Sequence, residues 1–467
     1  MNIFWFRRDL RINDNRALFE ATCASSNLAP IFIFDTNILD RLTSKDDRRV
    51  SYIWDALLEL KDSLKAKGLD LQIFHGDPLS IFEKLLSNHS VENIYANEDY
   101  EPYATKRDRK VSKLCEKNNC KFHSFKDHVI FRGDEVLKSD GSPYRVYTPY
   151  MRSWMKNLRP AHIKEYKPSF KSLTYASINE NSISTLEEIG FSKTEIPLLS
   201  GEKAAKRDFK KFLPIIDAYD TNRDFFGKKG TSLMSVHIRF GCISMRELVR
   251  NTISLRSTGS AAWVKELIWR EFYQMILFNF PEVETKEFLP AYRTIPWSKD
   301  KELFRAWKEG QTGVPIIDAA MRHFKETGEM HNRLRMVVSS FLTKSLFLDW
   351  RWGEQYFAEK LIDYDLASNN GGWQWSASVG CDAQPYFRIF NPYRQSERFD
   401  PTAKFIRKII PELNGFSDKQ IHCPSGEPLE KQKLANCLIG KDYPNPIVNL
   451  KENHEKAKEA FKSHKNA

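Results

Sequence analysis

The chain has 467 residues, 41% of them hydrophobic and 13% aromatic, and this length predicts two domains or one domain with a large appendage. Its 72 lysines and arginines exceed its 61 acidic residues, and the net charge of +11 fits a polyanionic partner or mere solubility. The sequence has no signal-peptide pattern, no run of 18 apolar residues and no disulfide pattern among its seven cysteines, so we expect a cytoplasmic protein without a membrane span.

Short apolar runs alternate with helical segments over the first 130 residues. The runs are rich in aromatic and β-branched residues: NIFWF (2–6), PIFIF (30–34), LQIFHG (71–76) and ENIYAN (92–97). The first helical segment should have its N-cap at Asn13 or Asp14, and the second ends at Gly68. This alternation predicts an α/β domain over residues 1–130, with a doubly wound parallel sheet. Because neither G-x-G-x-x-G nor G-x-x-x-x-G-K-[ST] occurs, a nucleotide would have to bind here without a glycine phosphate loop.

The rest of the chain divides into a connector, a helical half and a tail. Residues 131–205 lose periodicity and gain serine, asparagine, proline and lysine, which predicts an interdomain connector. From residue 206 to 450 nearly every segment has helical periodicity, so we predict an all-α domain. Residues 451–467 are charged and helix-prone, and we expect a solvated tail there.

Two cysteines and two histidines lie close together in CEKNNCKFHSFKDH (115–128), which superficially suggests zinc. Their spacing, C-x4-C-x2-H-x4-H, matches no structural zinc pattern well, and the segment has the pattern of a helix end followed by a strand. We therefore predict no metal site.

Hydroxyl residues precede a helical run in KKGTSLMSVHIRFG (228–241). Thr231 and Ser232 would begin the helix, with Ser235 one turn later. Free N–H groups and hydroxyls at such a helix start are able to hold an anion, although a plain N-cap is the simpler interpretation.

Charged and flat side chains share helical faces in two further segments. In ELIWREFY (266–273) four residues recur along one stripe: Glu266, Trp269, Arg270 and Tyr273. This stripe is typical of a salt-bridged surface and also of a site for a flat heterocycle. In MHNRLRM (330–336) an amide, a guanidinium and a thioether share one face: Asn332, Arg335 and Met336. A buried arginine needs a carboxylate partner, which Asp363 or Asp365 would supply.

Two tryptophans, Trp373 and Trp375, follow the four most flexible residues of the chain in NNGGWQW (369–375). Asn-Asn-Gly-Gly should break whatever element precedes it.

Taken together, these motifs resemble the photolyase/cryptochrome flavoprotein family, and most closely its class I cyclobutane pyrimidine dimer photolyases. The resemblance covers nearly the whole chain and rests on WFRRDLRINDNRAL (5–18), YDTNRDF (219–225), GTSLMS (230–235), AWKEGQTGVPIIDAAMRHF (306–324), HNRLRM (331–336), LIDYDLASNNGGWQWSAS (361–378) and DAQPYFRIFNP (382–392). It implies an α/β amino-terminal domain and an all-α FAD-binding carboxyl-terminal domain. The implied reaction is light-driven repair of cyclobutane pyrimidine dimers in DNA, by electron transfer from reduced FAD to a flipped-out dimer.

The resemblance implies a bent FAD inside the helical domain, which accounts for the missing glycine fingerprint. The residues expected at its phosphates are Tyr219, Thr231, Ser232 and Ser235. Arg335 and Asp363 are expected to pair along the isoalloxazine edge, with Asp365 near its carbonyl end. Asn369 is expected to face flavin N5, where an amide favours the fully reduced anionic flavin.

The resemblance also assigns residues to the damaged strand. Glu266 would hydrogen-bond a dimer base, and four further residues would line the pocket: Trp269, Asn332, Met336 and Trp375. Three arginines would contact phosphates without reading the sequence: Arg223, Arg333 and Arg388.

Three tryptophans are expected to form an electron relay that photoreduces oxidised flavin. By resemblance, Trp373 is the member next to the flavin, Trp350 is the intermediate member, and Trp297 is the member near the surface. The alternative for Trp373 and Trp350 is ordinary core packing.

The sequence departs from the family pattern at three places. Tyr103 and Ala104 stand where folate-antenna members have an Asn-Glu pair, which favours a deazaflavin or flavin antenna, or none, over methenyltetrahydrofolate. Glu329 stands where close relatives often have tryptophan, a change for which the sequence offers no reason. His331 is followed by Asn332 rather than by a second histidine, which argues against repair of (6-4) products.

Two other functions stay open beside repair. A cryptochrome-type blue-light photoreceptor would keep FAD and the tryptophans without repairing DNA, and a basic DNA-binding module would lack the flavin. The complete pocket and the short basic tail favour repair. We expect damaged DNA as the partner, a monomer, and association with the nucleoid through DNA if the host is bacterial.

Overall fold

The structure, a computed structural model, describes residues 1–178, 180–382 and 387–465, and it contains two compact units. The first unit comprises Met1–Tyr144, Thr148–Asp217 and Ser232–Pro281. The second unit comprises Arg145–Tyr147, Ala218–Thr231 and the chain from Glu282 onward. The domain limits predicted at residues 130 and 205 do not coincide with these units. Residues 383–386 of the motif DAQPYFRIFNP lie outside the described residues.

A parallel sheet forms the centre of the first unit, as predicted. Its strands are β1 (Asn2–Phe6), β2 (Asn27–Asp35), β3 (Gln72–Gly76), β4 (Asn93–Asn97), β5 (Lys121–Phe125) and β6 (Thr174–Tyr175). Five of them follow the order β3-β2-β1-β4-β5, and β6 pairs with β2; every pairing is parallel. All residues of β1 are buried, as in a strand covered on both faces. Because β6 lies within residues 131–205, the predicted connector also contributes to the sheet.

Along the chain up to residue 281, helices lie between the strands and after the last of them. They are α1 (Arg16–Ala24), α2 (Thr36–Leu39), α3 (Arg48–Lys65), α4 (Pro78–Asn88), α5 (Pro102–Lys117), α6 (Tyr147–Asn157), α7 (Gly201–Phe212), α8 (Tyr219–Asn222), α9 (Ser235–Arg239), α10 (Met245–Thr252) and α11 (Thr258–Asn279). The N-cap of α1 is Asn15, whose side chain accepts a hydrogen bond from the Leu18 amide, so the predicted caps were wrong. Asn13 precedes this cap, and Asp14 has a φ of 51° and binds Arg246 at 2.9 Å.

The motif WFRRDLRINDNRAL contributes to a buried ion network in the first unit. Arg11 and Arg246 approach the carboxylate of Asp127 at 2.6 and 2.7 Å, and all three side chains are buried. Charges removed from water in this way must be paired, so much of this motif is structural.

The second unit is helical, as predicted. Besides α8 it contains α12 (Lys301–Glu309), α13 (Pro315–Thr327), α14 (Asn332–Ser340), α15 (Trp350–Lys360), α16 (Leu366–Ala377), α17 (Pro392–Phe399), α18 (Lys404–Ile409), α19 (Leu429–Leu434) and α20 (Leu450–Lys465). A π-helical turn at Phe341–Ser345 follows α14. A core cluster of this unit includes residues of α12, α13, α14, α15 and α16, among them Trp307, Trp350 and Trp373.

The prediction that Asn-Asn-Gly-Gly breaks the preceding element is wrong, because residues 369–372 lie inside α16. Asp365 caps the helix by accepting a hydrogen bond from its first turn at 3.0 Å. The side-chain amides of Asn370 and Gln374 both donate to the Val283 carbonyl at 2.9 Å. These tertiary bonds offset the weak helix propensity of asparagine and glycine. A regular helix therefore carries the two tryptophans.

The solvated tail predicted for residues 451–467 is also wrong, since α20 packs on the second unit. Ala457 and Phe461, four residues apart, are fully buried. The buried ammonium of Lys344 donates to the Ala377 carbonyl at 2.6 Å and lies 3.8 Å from the centroid of the Phe461 ring. This apolar pair docks the helix together with hydrogen bonds of Asn453 and His454 to Ser345, at 2.7 and 2.9 Å.

Candidate functional site

An ion pair joins α14 to the segment before α16. Arg335 Nη2 donates to both carboxylate oxygens of Asp363, at 2.8 and 2.9 Å, as the sequence predicted. Arg335 Nε donates to the Met330 carbonyl at 2.9 Å, which fixes the plane of the guanidinium. The side chain of Asp363 is 8% exposed and that of Arg335 is 30% exposed. The guanidinium is therefore oriented and still open to a ligand.

One face of α16 combines an oriented amide with open space. Asn369 Nδ2 donates to Glu354 Oε1 at 2.8 Å and to the Glu354 carbonyl at 3.1 Å. Its carbonyl oxygen, Oδ1, accepts no hydrogen bond from the described residues. Gly372 lies three residues further, on a neighbouring part of the same face, and a Cβ placed there would meet no atom within 4 Å. A flat ligand could therefore approach this face.

Glu354 on α15 is a site residue that the sequence did not predict. Burial raises the pKa of Glu354 to about 7, although its hydrogen bond from Asn369 acts in the opposite direction. A single glutamate in an aromatic helix gives no sign of a partner 15 residues away. Predicting the Glu354–Asn369 contact would have required knowing that α15 packs against α16, in addition to the helical periodicity of each segment.

Trp373 lies deep in the core of the second unit. Its ring is 5.0 Å from Phe357 and 6.1 Å from Trp307, measured between centroids. A Cβ at Gly353 would come within 2.1 Å of the Trp373 ring, so glycine at this position lets the indole pack against α15. Gly353 is one turn from Trp350, so α15 connects the two tryptophans without direct ring stacking.

The other two predicted relay tryptophans lie at the start of α15 and beside it. Trp350 is buried, and its Nε1 donates to Glu287 Oε1 at 3.2 Å. Glu287 was also missed by the sequence; it is buried and pairs with Arg351 at 2.6 Å. Half-buried Trp297 packs against Phe347 with centroids 5.2 Å apart. An isolated parallel bridge between residues 298 and 348 brings this tryptophan next to the start of α15.

Trp375 and Arg388, which the sequence predicts to contact the damaged strand, lie next to each other. The Arg388 guanidinium is 5.8 Å from the Trp375 ring centroid, and Arg388 is exposed. The Trp375 indole is half-buried, and its Nε1 donates to the Asp382 carbonyl at 3.0 Å. An anchored indole beside an exposed cation is suited to stacking and to phosphate contact.

The remaining predicted strand contacts of the second unit have mixed surroundings. Arg333 pairs with Asp224 at 2.8 Å, so a phosphate would have to share this cation. Asn332 is exposed and Met336 is half-buried at the start of α14. Arg223 ends α8, with its guanidinium 5.6 Å from the Tyr219 ring.

The residues predicted to hold phosphates fall in different environments. Tyr219 and Thr231 belong to the second unit, whereas Ser232 and Ser235 belong to the first. The helix that was expected to begin at Thr231 begins only at Ser235 and has 5 residues, so Thr231 and Ser232 lie in the preceding loop. The Ser232 hydroxyl accepts a long hydrogen bond of 3.4 Å from the Met234 amide.

In the first unit, α11 carries the predicted stripe. Glu266 and Trp269 are both half-buried. Trp269 packs against Phe272 and Tyr273, with centroids 5.7 and 5.6 Å apart. The stripe is therefore partly aromatic packing within one helix.

The two positions that bear on an antenna make contacts of their own. The Tyr103 hydroxyl donates to Asp35 at 2.6 Å, and Ala104 is buried. In the same unit a groove of roughly 700 Å³ has a basic wall and an apolar floor; its lining includes Lys106, Arg109, Lys110, Lys113, Tyr100 and Phe278.

Within the described residues, no three histidine, cysteine, aspartate or glutamate side chains are placed to share a metal ion. In that same part of the chain, none of the helices has the length and apolarity that crossing a bilayer requires.

The second unit offers the chemical groups that FAD requires. The isoalloxazine ring is flat, has one edge of N–H and C=O groups, and becomes negative on reduction. Three features fit these properties: the open face above Gly372, the Oδ1 of Asn369, which accepts no hydrogen bond within the described part of the chain, and the accessible guanidinium of Arg335.

Two family models match the chain. Residues 2–169 match the model described as DNA photolyase, and residues 263–463 match the FAD binding domain of DNA photolyase. Among curated relatives, the deoxyribodipyrimidine photo-lyase of Alkalihalophilus pseudofirmus is 38% identical over 470 residues, which covers 98% of this chain and 97% of the relative.

Solved structures of similar proteins share the whole fold. A bacterial class III photolyase from Agrobacterium tumefaciens is 33% identical with a TM-score of 0.92, covering 100% of this chain and 98% of that one. An archaeal photolyase from Sulfolobus tokodaii, solved with two FAD molecules, is 34% identical with a TM-score of 0.85, covering 99% and 100%.

Proposed function

Because the chain belongs to the photolyase/cryptochrome family and has its FAD-binding domain, we propose that it repairs cyclobutane pyrimidine dimers in DNA under light. The observation that carries the proposal is the α16 face, where an oriented amide and open space lie on the same helix as Trp375. The assignment to class I stays a prediction, since the Agrobacterium relative is a class III photolyase.

The proposed flavin contacts are Arg335, Asp363, Asp365 and Asn369. When bound and reduced, FAD supplies the electron that splits the dimer after light absorption. Arg335 would hold its cation beside the ring and so would favour the anionic reduced form. Asn369 has both Nδ2 hydrogen bonds directed at Glu354, so its Oδ1 would be the atom able to accept a hydrogen bond from the flavin.

We propose that Trp373, Trp350 and Trp297 relay electrons to oxidised flavin. The Glu287 carboxylate beside Trp350 Nε1 stabilises positive charge on that indole, as a nearby anion does for any cation.

For the damaged strand we propose that Trp375 stacks on a flipped pyrimidine and that Arg388 contacts a phosphate. Asn332, Met336, Arg223 and Arg333 keep the roles that the sequence predicted for them. The roles of Glu266, Trp269, Ser232 and Ser235, which lie in the first unit, also remain predictions from the sequence.

Several wider properties belong to the same proposal. We propose a monomer in the cytoplasm that associates with the nucleoid through damaged DNA. We also propose that a second chromophore, if bound, is a flavin or deazaflavin, since Tyr103 and Ala104 offer a folate no free polar side chain. The relative solved with two FAD molecules supports this choice.

Illumination of the chemically reduced protein with dimer-containing oligothymidylate tests the proposal. Repair restores two thymines per dimer, so absorbance of the thymine band should recover in the light and not in the dark. The Trp375→Ala variant, which loses the stacking face, should bind flavin normally and repair poorly. A flavin-loaded protein that leaves the absorbance unchanged would instead support a cryptochrome-type photoreceptor.

A further inference from the structure

The residues on both sides of Glu329 are hydrogen-bonded to the segments that carry the Arg335–Asp363 pair. The Ile362 amide donates to the Gly328 carbonyl at 3.1 Å, which brings the segment before Glu329 next to Asp363. Arg335 Nε donates to the Met330 carbonyl at 2.9 Å, which holds the segment after it. The backbone on both sides of Glu329 is therefore tied to the pair.

The Glu329 carboxyl has charges around it and no hydrogen-bond donor among the described residues. It is half-buried, and burial raises its pKa; the Asp363 carboxylate raises the pKa further, and the Arg335 guanidinium partly opposes this. The guanidinium of Arg335 is bonded to both oxygens of Asp363, and it offsets the rise in the pKa of Glu329 only in part. Such a surplus acid is poised to change its protonation when the charge beside it changes.

Two groups close to Glu329 in the chain, His331 and Arg333, do not supply an alternative proton acceptor near neutral pH. His331, which begins α14, has its pKa lowered to about 4 by burial. Arg333 is held by Asp224 at 2.8 Å. The charged groups that act on Glu329 are then Asp363 from the segment before α16 and Arg335 from α14. The other acid near the proposed ring is Glu354 on α15, whose pKa burial raises to about 7; a proton taken up there would persist in Glu329→Gln.

We propose that Glu329 takes up a proton when the flavin is reduced. The inference rests on the proposed function, in which the Arg335–Asp363 pair flanks the isoalloxazine ring. Two electrons from a mediated electrode and one proton convert oxidised FAD to its anionic reduced form. A second proton converts the Glu329 carboxylate to the acid, which avoids a negative charge beside the new one.

The sign of the effect follows from this coupling. The reduced anion raises the pKa of Glu329 above its value beside oxidised flavin. At a pH below both pKa values the Glu329 carboxyl is protonated beside either form of the flavin, and at a pH above both it is ionised beside either form. Between them, reduction takes up two protons instead of one, so the midpoint potential falls more steeply with pH.

Spectroelectrochemical titration of the flavin-loaded protein across pH tests this role. Each proton taken up per two electrons contributes about 30 mV per pH unit. The wild type should show a window with about twice that slope, and Glu329→Gln should keep a slope of about 30 mV per pH unit throughout. Glu329→Asp should retain the steep window. Glu326→Gln, which removes an exposed acid of α13 three residues away, should behave as the wild type.

A single slope of about 30 mV per pH unit in the wild type, or a steep window that persists in Glu329→Gln, would overturn the inference. These results would leave repair intact, since repair is measured separately by thymine recovery. If Asp363→Asn leaves flavin affinity unchanged, the proposed position of the flavin fails, and the inference fails with it. A steep window without repair would keep the role of Glu329 and overturn the proposed function alone.

Discussion

The amide of Asn369 is oriented by a single neighbouring acid. Both of its Nδ2 hydrogen bonds reach Glu354, one to the side chain and one to the backbone. Burial raises the pKa of the Glu354 carboxyl to about 7, so near neutral pH its charge depends on small changes. The same carboxyl therefore orients the amide and adds a pH-dependent cost to folding.

Replacing Glu354 by glutamine should remove this pH dependence. An acid whose pKa is raised on folding stabilises the protein fully only at pH values below its unfolded pKa, and it loses that contribution as pH rises through the folded value. The pKa of Glu354 rises from the ordinary value of 4.5 to about 7 on folding. As the pH rises, the wild type should therefore lose at most about 3 kcal/mol of unfolding free energy relative to Glu354→Gln. Denaturant titrations of the flavin-free proteins at pH 5 and pH 8 measure the difference.

Glu302→Gln is a suitable control for Glu354→Gln, because Glu302 is exposed on α12 and pairs only with Arg305 at the surface. It should leave the pH dependence of the wild type unchanged. An equal pH dependence in the wild type and in Glu354→Gln would show that Glu354 is already ionised at low pH, contrary to the account.

Residue-level prediction succeeded where partners lie in recognisable motifs. The Arg335–Asp363 pair was predicted and forms at 2.8 Å, although its role at a flavin stays a prediction. Glu354 and Glu287 were missed, because each is a single acid whose partner depends on how two helices pack. The packing of α15 on α16 is a tertiary property that periodicity does not contain.

At the scale of the element, α16 combines a poor helix sequence with a regular helix. Two adjacent glycines cost about 1 kcal/mol each relative to alanine in a helix interior. Hydrogen bonds from the side-chain amides of Asn370 and Gln374 to the Val283 carbonyl offset this cost. The prediction of a break was wrong because these tertiary hydrogen bonds outweigh the low helix propensity. The role of Gly372 is then to leave the surface of α16 without a side chain at this position.

Gly372→Ala should therefore stabilise the flavin-free protein and weaken flavin binding. The added methyl meets no atom within 4 Å, so the helix gains about 0.5–1 kcal/mol of unfolding free energy. The same methyl occupies the space proposed for the ring, so we expect the Kd for FAD to rise about tenfold, equivalent to about 1.4 kcal/mol. Denaturant titration and flavin fluorescence quenching measure the two effects.

Gly353→Ala is the matched comparison on α15. Its Cβ would lie 2.1 Å from the Trp373 ring, so overpacking should cost about 1–3 kcal/mol of unfolding free energy. Opposite signs of stability change at the two glycines are thus expected. Unchanged or tighter FAD binding by Gly372→Ala would contradict a flavin on the α16 face.

For the whole molecule, the sequence predicted the fold class and missed how the chain is partitioned. Alternation of apolar runs and helical segments predicted the parallel sheet, and helical periodicity predicted the all-α half; both are confirmed. The unit limits differ because α10 and α11 belong with the first unit, a matter of long-range contacts rather than of local pattern. Residues 451–467 were predicted to be helix-prone, but the packing of α20 was missed because the burial of Phe461 depends on Lys344 and the core beneath it.

The central claim is that the second unit holds a flavin against the α16 face, with Asn369 at its reactive nitrogen. The crystal structure of the reduced, FAD-loaded protein measures this directly. We predict a distance of about 3 Å between Asn369 Oδ1 and flavin N5, within hydrogen-bond range. An isoalloxazine ring bound elsewhere, with the space above Gly372 filled by the protein's own side chains, would contradict the account.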